Sequence, residues 1–436
     1  MSIGERDELS PLVEVERAVQ LRAKDLSLDM TDPSAKAKLR SLIDDQVTQW
    51  SIDHKRGQHA FDLADPQLVV ERAYRNLVGY GPLEPLLADD DVWEIMVNSP
   101  ASIFVKRHRG ASGYHDEVFH DDDHVLRTLT KVLDDASSAH RKLDATEGLQ
   151  DAQLDSGARL HIVHGDISRG GHVMVNIRKF TGVVFSSLDE LVDHDMLSGP
   201  VAQLLRACVA GRASIVFAGA PGSGKTTMLS CCAAELDPGL RVVIAEEVFE
   251  ADIPLANVAS LQTRAARIDR PAVDLRRLVA GFLRMAPDVA IVGEVRDREA
   301  LPLLLTLSSG VKGFTTIHAG SARQALTRLR FICQLSENDL PLSALNTLVS
   351  EAVDVVVHCA RTKQGPRVTE IVAVEDLASG PEASQFTVTE LVRRTGADRP
   401  LTWTGNLPVR LERQVQEAGF DLRALLEAIS APEPDR

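Results

Sequence analysis

From residue 200 onward, short apolar runs alternate along the chain with longer stretches in which apolar residues recur at helical spacing. The apolar runs predict β-strands at 214–218, 241–245, 289–292 and 314–317. Helical stretches precede or separate these runs, at 200–210, 226–236, 274–285 and 298–307. Because regular alternation of this kind builds βαβ units, it predicts a parallel sheet with helices on both faces. Later strands are predicted at 353–358 and 368–374.

The first 180 residues have a different texture. Residues 1–80 are charged and contain segments of helical spacing, at 12–28, 34–50 and 67–77. Residues 81–180 mix predicted strands with one predicted helix, in the order 92–97, 102–106, helix 124–134, 160–163 and 172–177. We therefore expect a helical region at 1–80, a small α+β domain at 81–180, a linker at 181–198, the α/β domain at 199–375, and a C-terminal extension at 376–436 with a helix at 411–418 and a disordered end.

The residues that follow the first predicted strand of the α/β domain match the phosphate-binding pattern G-x-x-x-x-G-K-[ST] in full. Its glycines let backbone N–H groups turn inward around phosphate oxygens, and the helix that follows directs its positive end at them. We expect Lys225 to reach the β- and γ-phosphates of ATP and the Thr226 hydroxyl to bind Mg²⁺. The expected nucleotide-binding residues here are Gly219, Ala220, Pro221, Gly222, Ser223, Gly224, Lys225, Thr226 and Thr227.

Beside such a loop, a strand that ends in a carboxylate should hold Mg²⁺ or position water. The third predicted strand leads to Glu294, and the second ends at Glu246 and Glu247, with Glu250 one turn later. A buried parallel strand delivers its last residue to the ligand-binding edge of the sheet, so Glu294 is a candidate catalytic residue and metal ligand. Which of the other three acids orients water stays open. By spacing alone, His318 after the fourth strand is more typical of a structural hydrogen-bonding residue.

Composition and charge narrow the class of protein. The chain has 436 residues, 44% hydrophobic and 25% charged, which is ordinary for a soluble globular protein of two to four domains. The net charge of −15 argues against a general affinity for nucleic-acid phosphates, which needs a basic surface, although a narrow basic channel stays open. The five cysteines include no CxxC pair, so we expect them to be buried apolar residues in a reducing cytosol.

The beginning of the chain is charged and has no apolar h-region, so it predicts no signal peptide. No run approaches the ~20 apolar residues that a membrane-spanning helix needs. We therefore expect a cytoplasmic protein that only a partner would recruit to a membrane.

Motifs beyond the phosphate-binding loop resemble those of a known family. The sequences IVGEVR at 291–296, EA at 299–300 and TTIHA at 315–319 resemble the Walker B and His boxes of the type II/IV secretion-system ATPases. Within that family the chain resembles the CpaF-type ATPases of tight-adherence (Flp-type) pili. The resemblance extends over roughly residues 80–375, with weaker similarity in 402–419, and its boxes in order are more specific than any single motif.

The resemblance implies an α/β fold: a RecA-like P-loop NTPase domain, preceded by a smaller α+β (PAS-like) domain and a helical N-terminal arm. It also implies a homohexameric ring at the cytoplasmic face of an inner membrane. In such a ring, ATP hydrolysis moves the N-terminal domains against the RecA-like domains and drives pilin subunits or secreted substrates through inner-membrane platform proteins. No direct nucleic-acid partner is expected.

The resemblance further implies roles for single residues. Glu246, Glu247 and Glu250 correspond to the Asp-box carboxylates, Glu294 to the Walker B acid, and His318 to a His-box residue at the nucleotide or the subunit boundary. Arginines are expected to close on the phosphates, because their planar fork suits phosphate oxygens. The matching positions are Arg159, Arg178, Arg264 and Arg276, with Arg141 as a further candidate.

The chain departs from the family pattern at four places. Glu247 stands where Asp is more common, Asp297-Arg298 replaces a frequent Gly-Gly pair, Val311 stands where His is usual, and Gln153 where Arg is usual. These departures motivate an alternative in which the chain is a slow, nucleotide-gated regulator or scaffold. A second alternative is a DNA-transfer-associated ATPase, because related ATPases serve DNA-transferring systems. The main expectation remains a Mg-dependent ATPase motor for pilus assembly or protein secretion.

Overall fold

The computed structural model describes residues 10–26, 33–107, 110–136, 143–179, 185–264, 270–335, 340–375, 386–396 and 399–431. The chain divides into two compact units, Met1–Thr181 and Gly182–Arg436. Two predicted features, Arg141 and the disordered end after residue 431, lie outside the described residues.

Three helices begin the first unit: α1 (Pro11–Asp25), α2 (Pro33–Lys55) and α3 (Pro66–Val78). Each starts at a proline, where the missing N–H removes no intrahelical hydrogen bond. The side chains of Ser10 and Asp65 cap α1 and α3 by accepting from backbone N–H groups. The apolar faces of these helices share one core that includes Val19, Ile43 and Trp50. They are the helices that the spacing of apolar residues predicts in the first 80 residues.

The rest of the first unit is built around an antiparallel sheet. Its elements are α4 (Glu84–Ala88), β1 (Val92–Ser99), β2 (Ser102–Arg107), β3 (Gly113–Tyr114), α5 (Asp122–Asp135), β4 (Leu149–Gln153), β5 (Arg159–Val163) and β6 (Met174–Arg178), with 3-10 helices at Gly81–Leu83, Ala145–Glu147 and Gly165–Ile167. Within the described residues, the strand order is β3-β2-β1-β6-β5-β4. Helix α5 contributes Leu129 to the core that Ile95 and Ile177 form on the sheet. The sequence pattern misses β4, whose residues LQDAQ alternate too weakly to indicate a strand.

The second unit alternates strands and helices. Its helices are α6 (Leu188–Asp193), α7 (Gly199–Ala210), α8 (Lys225–Ala234), α9 (Leu275–Ala280), α10 (Ala300–Ser308), α11 (Ala322–Gln334), α12 (Leu342–Ala352), α13 (Val409–Glu417) and α14 (Leu422–Ser430), with a 3-10 helix at Phe282–Met285. Its strands are β7 (Ile215–Gly219), β8 (Val242–Glu246), β9 (Val258–Gln262), β10 (Val289–Val295), β11 (Lys312–Ile317), β12 (Val355–Thr362), β13 (Gly365–Val374), β14 (Val388–Arg394) and β15 (Leu401–Trp403). Of the helices described in either unit, none is both long enough and apolar enough to span a bilayer.

The strands of the second unit form one sheet, whose described part has the order β15-β14-β13-β12-β7-β11-β10-β8-β9. The six strands from β12 to β9 are parallel. The other three are antiparallel. The α/β fold class is thus confirmed, whereas the prediction of a parallel sheet is wrong for β13, β14 and β15. Only Lys363 and Gln364 separate β12 from β13, and two residues close a hairpin but cannot make a parallel crossover.

The parallel strands are buried on both faces. In β7, Ile215 and Phe217 point into one hydrophobic core, and Val216 and Ala218 point into the core on the other face. Burial on both faces explains why these strands are continuous apolar runs in the sequence rather than alternating ones. This is the feature that makes the central strands predictable.

The segment 181–198, predicted to be a linker, contains helix α6. Ser187 caps this helix by accepting from the N–H of Glu190, and Leu188 and Leu191 are fully buried in the domain core. Acidic residues on its exposed side interrupt the apolar pattern, which is why it reads as a linker in the sequence. The helix therefore belongs to the second unit.

The described part of the predicted C-terminal extension also belongs to the second unit. Strands β14 and β15 lengthen its sheet, and α13 and α14 pack against α7. The guanidinium of Arg410 on α13 donates to the carbonyl oxygens of Ser350 and Val353 at 2.6 Å each, and pairs with the buried Asp354 at 2.9 Å. These contacts fix the C-terminal helices to the sheet, so this segment completes the domain.

The buried His124 on α5 makes the first unit sensitive to acid. Its side chain is 2% exposed, and Nδ1 accepts the N–H of His120 at 3.3 Å. Burial, and then the charges of His120 and Arg127, lower the pKa of His124 to about 4. Because the folded state favours the neutral ring, its contribution to stability is complete above pH 6.5 and is lost as the pH falls toward 4.

We predict that the free energy of unfolding of the first unit falls by about 2 kcal/mol between pH 7 and pH 5 through this group. Hydrogen exchange of α5 and β1 amides in the full-length chain, corrected for intrinsic rates, measures the change. A His124→Gln variant, which does not titrate, should lose most of this dependence. Equal pH dependence in the two proteins would contradict the prediction.

Candidate functional site

Strand β7 enters a tight loop at Gly219, and helix α8 leaves the loop at Lys225. A Cβ at Gly219 would lie 2.3 Å from the carbonyl oxygen of Cys359 on β12, so only glycine fits at this position. Gly224 has φ +87°, in the left-handed region that glycine adopts without strain. Both positions therefore favour glycine, which the sequence pattern of the loop supplies.

Lys225 is the first residue of α8 and is only 7% exposed. Its ammonium donates to the carbonyl oxygen of Ala220 at 3.0 Å and lies 3.3 Å from Nδ1 of His318. Thr226 and Thr227 follow in the first helical turn and are half-buried. Because the first N–H groups of a helix have no intrahelical partner, this turn is suited to bind an anion.

The carboxylate candidates emerge from two neighbouring strands of the same sheet. Glu294 lies near the end of β10, Glu246 ends β8, and Glu247 is the next residue. Strands β10 and β8 are parallel and in register from Val289 with Val242 onward, so their carboxyl ends share one edge. The structure brings these acids to the same edge as the loop at the end of β7, with β11 between β7 and β10.

His318 connects the loop to the carboxylate strand. Its Nε2 lies 2.7 Å from Oε1 of Glu294, and its Nδ1 lies 3.3 Å from both the Lys225 ammonium and the Gly219 carbonyl oxygen. Nδ1 thus faces both a group that donates, the Lys225 ammonium, and a group that accepts, the Gly219 carbonyl oxygen. The structure therefore places His318 in the site, where spacing alone favoured a structural role.

The electrostatics of Glu294 follow from these contacts. Burial acts to raise its pKa, but hydrogen bonds from His318 and Arg296 outweigh burial and lower the pKa to about 2. The Arg296 guanidinium donates to the second carboxylate oxygen at 2.6 Å. Glu294 is therefore ionised at neutral pH, which suits a metal ligand or an acceptor of hydrogen bonds from water.

The three acids that the resemblance assigns to an Asp box have different surroundings. Glu246 is 2% exposed, and its Oε1 accepts the N–H groups of Glu250 and Ala251 at 3.1 and 3.0 Å. It thus holds the loop that follows β8. Glu247 is instead joined to Arg296 by a 3.0 Å hydrogen bond. Of the three, Glu247 has the carboxylate that is linked to Glu294 through a shared partner.

Two of the arginines that are expected to contact phosphate, Arg264 and Arg276, lie away from the loop within the second unit. Arg264 follows the edge strand β9, which is four strand positions from β7, or about 19 Å. Its backbone pairs with Val273, and its guanidinium donates to Pro271 O at 3.2 Å. Arg276 lies half-buried on the adjacent α9. Within the second unit, neither arginine is therefore placed beside the P-loop strand.

The other two predicted arginines belong to the first unit. Arg159 and Arg178 are paired residues of the β5–β6 ladder, and Gln153 on β4 is paired with Arg159. The structure thus brings both arginines together on the sheet. Gln153, which stands where the family usually has Arg, lies directly beside them.

Sequence reasoning missed two residues of the site. Arg296 bridges Glu294 and Glu247, and Arg361 on β12 donates to the Gly222 carbonyl oxygen at 3.4 Å. The position of Arg296, two residues after the strand-end acid, was the available signal. No sequence signal connects Arg361 with the loop, because strand order is not visible in the sequence.

Comparison with known proteins agrees with this geometry. The sequence model of the Type II/IV secretion system protein family matches residues 76–424. The chain belongs to this family. Its CpaF-type branch stays a prediction.

Several curated proteins are similar to this family member. A putative conjugal transfer protein of Mycobacterium tuberculosis is 30% identical over 312 residues, which cover 70% of this chain and 86% of that protein. The type IV secretion system protein PtlH of Bordetella pertussis is 31% identical over 311 residues, which cover 65% and 90%.

Solved structures are similar as well. The VirB11 ATPase of the Brucella suis type IV secretion system is 25% identical, with a TM-score of 0.35 and coverage of 70% of this chain and 97% of that chain. The ATPase DotB of Yersinia pseudotuberculosis is 17% identical, with a TM-score of 0.49 and coverage of 70% and 79%. Because both TM-scores are below 0.5, membership of the family rests on the sequence match.

We predict that Gly219→Ala lowers the free energy of unfolding of the second unit by about 2 kcal/mol, since the new Cβ overlaps a backbone carbonyl that cannot move without shifting β12. Chemical denaturation measures this change. It should also weaken binding of a fluorescent ATP analogue.

Gly405→Ala is the matched control, because Gly405 has φ +86° but no atom within 4 Å of a built Cβ. It should cost backbone strain alone and leave nucleotide binding intact. If the two variants bound nucleotide equally, the close approach at Gly219 would have no functional role.

Proposed function

We propose that this chain is an ATP-hydrolysing motor that powers pilus assembly or protein secretion through an inner-membrane platform. The observation that carries the proposal is the unbroken series of contacts from Lys225 through His318 to Glu294. It joins a phosphate-binding loop at the end of β7 to an ionised carboxylate on β10, two strand positions away in the same sheet, which is the arrangement that P-loop hydrolysis needs. Membership of the Type II/IV secretion system protein family supports the same function.

In this proposal the loop binds the phosphates of ATP. The backbone N–H groups of residue 220 and of residues 222–226 surround the β-phosphate; Pro221 has none. Lys225 moves from the Ala220 carbonyl to the phosphate oxygens, which are stronger acceptors. Lys225 as a whole is only 7% exposed, so its interaction with a phosphate is only weakly screened. Binding energy is thus concentrated at the end of β7.

The donor set fits Mg²⁺. This ion prefers oxygen ligands and usually takes one or two protein groups together with phosphate oxygens. The Thr226 hydroxyl and the ionised Glu294 carboxylate supply such oxygens. In the described part of the chain, no group of three or more His, Cys, Asp or Glu side chains could by itself hold a metal ion. Bound there, Mg²⁺ would neutralise charge on the transferring phosphoryl group.

The acids have different roles in hydrolysis. A pKa of about 2 makes Glu294 a weak base. In this proposal it therefore orients the attacking water or binds the metal ion, and it does not remove a proton from the water at the start of the reaction. Glu247 is the second candidate for water orientation, and Glu250 lies close enough to contribute to the raised pKa of Arg296, after the larger effect of its hydrogen bond to Glu294. His318 contacts both Lys225 and Glu294, so in this proposal a movement of one of these side chains is transmitted to the other.

The proposal includes assembly and location. We infer a homohexamer at the cytoplasmic face of the inner membrane, in which Arg159 and Arg178 reach nucleotide and platform proteins provide the membrane contact. The family membership supports this arrangement.

A second candidate function is a motor for DNA transfer. Curated relatives from Mycobacterium tuberculosis and Rhizobium radiobacter are named conjugal transfer proteins. The net charge of −15 disfavours direct DNA contact, so such a motor would act on the secretion apparatus. A deletion strain separates the two functions: loss of pili or secreted protein with intact DNA transfer rejects the second, and the reverse result rejects the first.

We predict that Lys225→Ala weakens ATP binding at least tenfold, because it removes a charge-assisted contact with phosphate worth about 1.5–3 kcal/mol. Glu294→Gln should instead leave binding within about twofold and lower turnover about 100-fold or more, since its neutral amide cannot replace the ionised carboxylate. Steady-state ATPase assays and analogue titration measure the two effects.

The exposed Lys363→Ala is the matched control and should change neither quantity. The assays should be made with the assembled species, identified by light scattering with and without nucleotide. Wild-type turnover no higher than that of Glu294→Gln, in every oligomeric state and with Mg²⁺ present, would reject the motor and leave a nucleotide-gated regulator.

A further inference from the structure

Arg296 lies where two acid-bearing strands end side by side. Because β8 and β10 are parallel neighbours, Glu247 and Glu294 reach the same edge of the sheet. The two terminal nitrogens of the Arg296 guanidinium donate one to each acid, at 3.0 Å to Oε2 of Glu247 and at 2.6 Å to Oε2 of Glu294. One guanidinium therefore joins the Walker B acid to the Asp box.

This bridge depends on the shape of the arginine side chain. Two carboxylates at adjacent strand ends repel each other, and a cation between them removes that repulsion. A guanidinium is planar and offers parallel donors to two oxygens, whereas a lysine ammonium is a single point of charge. The Glu294 side chain is only 22% exposed, so solvent screens its contact less than it would screen a surface ion pair.

Glu299 fixes the backbone that presents Arg296. Its side chain is 5% exposed, and Oε1 accepts the N–H groups of Arg296 and Asp297 at 2.5 and 2.8 Å. The residue directly precedes α10, so its carboxylate also lies at the positive end of that helix. The turn after β10 is thereby held in one conformation.

We propose that Arg296 is a positioning residue for ATP hydrolysis, which couples the orientation of Glu247 to that of Glu294, and that Glu299 sets its place. This inference rests on the proposed function. The bridge has two consequences of opposite sign. It holds the acids in the geometry for turnover, and its positive charge reduces their attraction for a divalent cation.

The test compares Arg296→Ala and Arg296→Lys with the control Arg423→Ala, an exposed arginine on α14. Arg296→Ala should lower kcat about tenfold, because it loses charge-assisted hydrogen bonds, with KM for ATP within about twofold. Its Mn²⁺ affinity, measured by electron paramagnetic resonance with a non-hydrolysable ATP analogue, should rise about three- to tenfold. Arg296→Lys should keep wild-type Mn²⁺ affinity but still lose turnover.

Variants of Glu299 test the second part. Glu299→Ala should reduce kcat in the wild-type background and have little further effect in Arg296→Ala, because the two residues act through one contact. Glu299→Gln retains an oxygen acceptor for the two N–H groups and should recover most of the lost turnover. Additive effects would show that Glu299 acts elsewhere.

The outcomes separate this inference from the proposed function. Turnover of Arg296→Ala equal to that of Arg423→Ala overturns the inference and leaves the motor intact. A fall in turnover together with weaker Mn²⁺ binding also overturns it, since it indicates a damaged site. An unchanged Mn²⁺ affinity in Arg296→Ala would by itself reject the electrostatic part of the inference. Absence of ATPase activity in the wild type, in contrast, rejects the proposed motor function.

Discussion

Parallel pairing of β7, β11, β10 and β8 is the constraint on which the site depends. Parallel strands present all of their carboxyl ends at one edge, and the residues that follow each strand must meet there. This single rule brings together the loop at Gly219, His318 after β11, and the acids at the ends of β10 and β8. An antiparallel neighbour at any of these positions would place one group at the far edge of the sheet.

A continuous series of contacts joins the cationic and anionic side chains at this edge of the sheet. Lys225 contacts His318, His318 contacts Glu294, and Arg296 joins Glu294 to Glu247. Each anion is thus compensated although the site is partly buried, and burial alone would have raised the pKa of Glu294. The same compensation makes the site responsive, because a phosphate or a metal ion that engages one member changes the partner of the next.

The sequence predicts the parts of this structure that have local causes. The central strands are apolar because both faces are buried, and the P-loop is a continuous motif. It misses α6 and the edge strands β14 and β15, whose exposed residues interrupt the pattern, as in VTELVRR. It also cannot supply strand order: Arg264 is expected at the phosphates by resemblance alone, and it follows a strand that lies four positions from β7. His318 was assigned by resemblance, and only the contacts show its two partners.

Strand direction also decides which departures from the family pattern bear on the chemistry. Val311 precedes β11, whereas His318 follows it, so the two are separated by the length of the strand, about 20 Å. A valine there does not touch the catalytic edge of its own unit. Asp297, in contrast, lies in the turn that Glu299 holds, next to Arg296. A side chain at this position restricts the backbone more than glycine does, which favours a fixed bridge between the two acids.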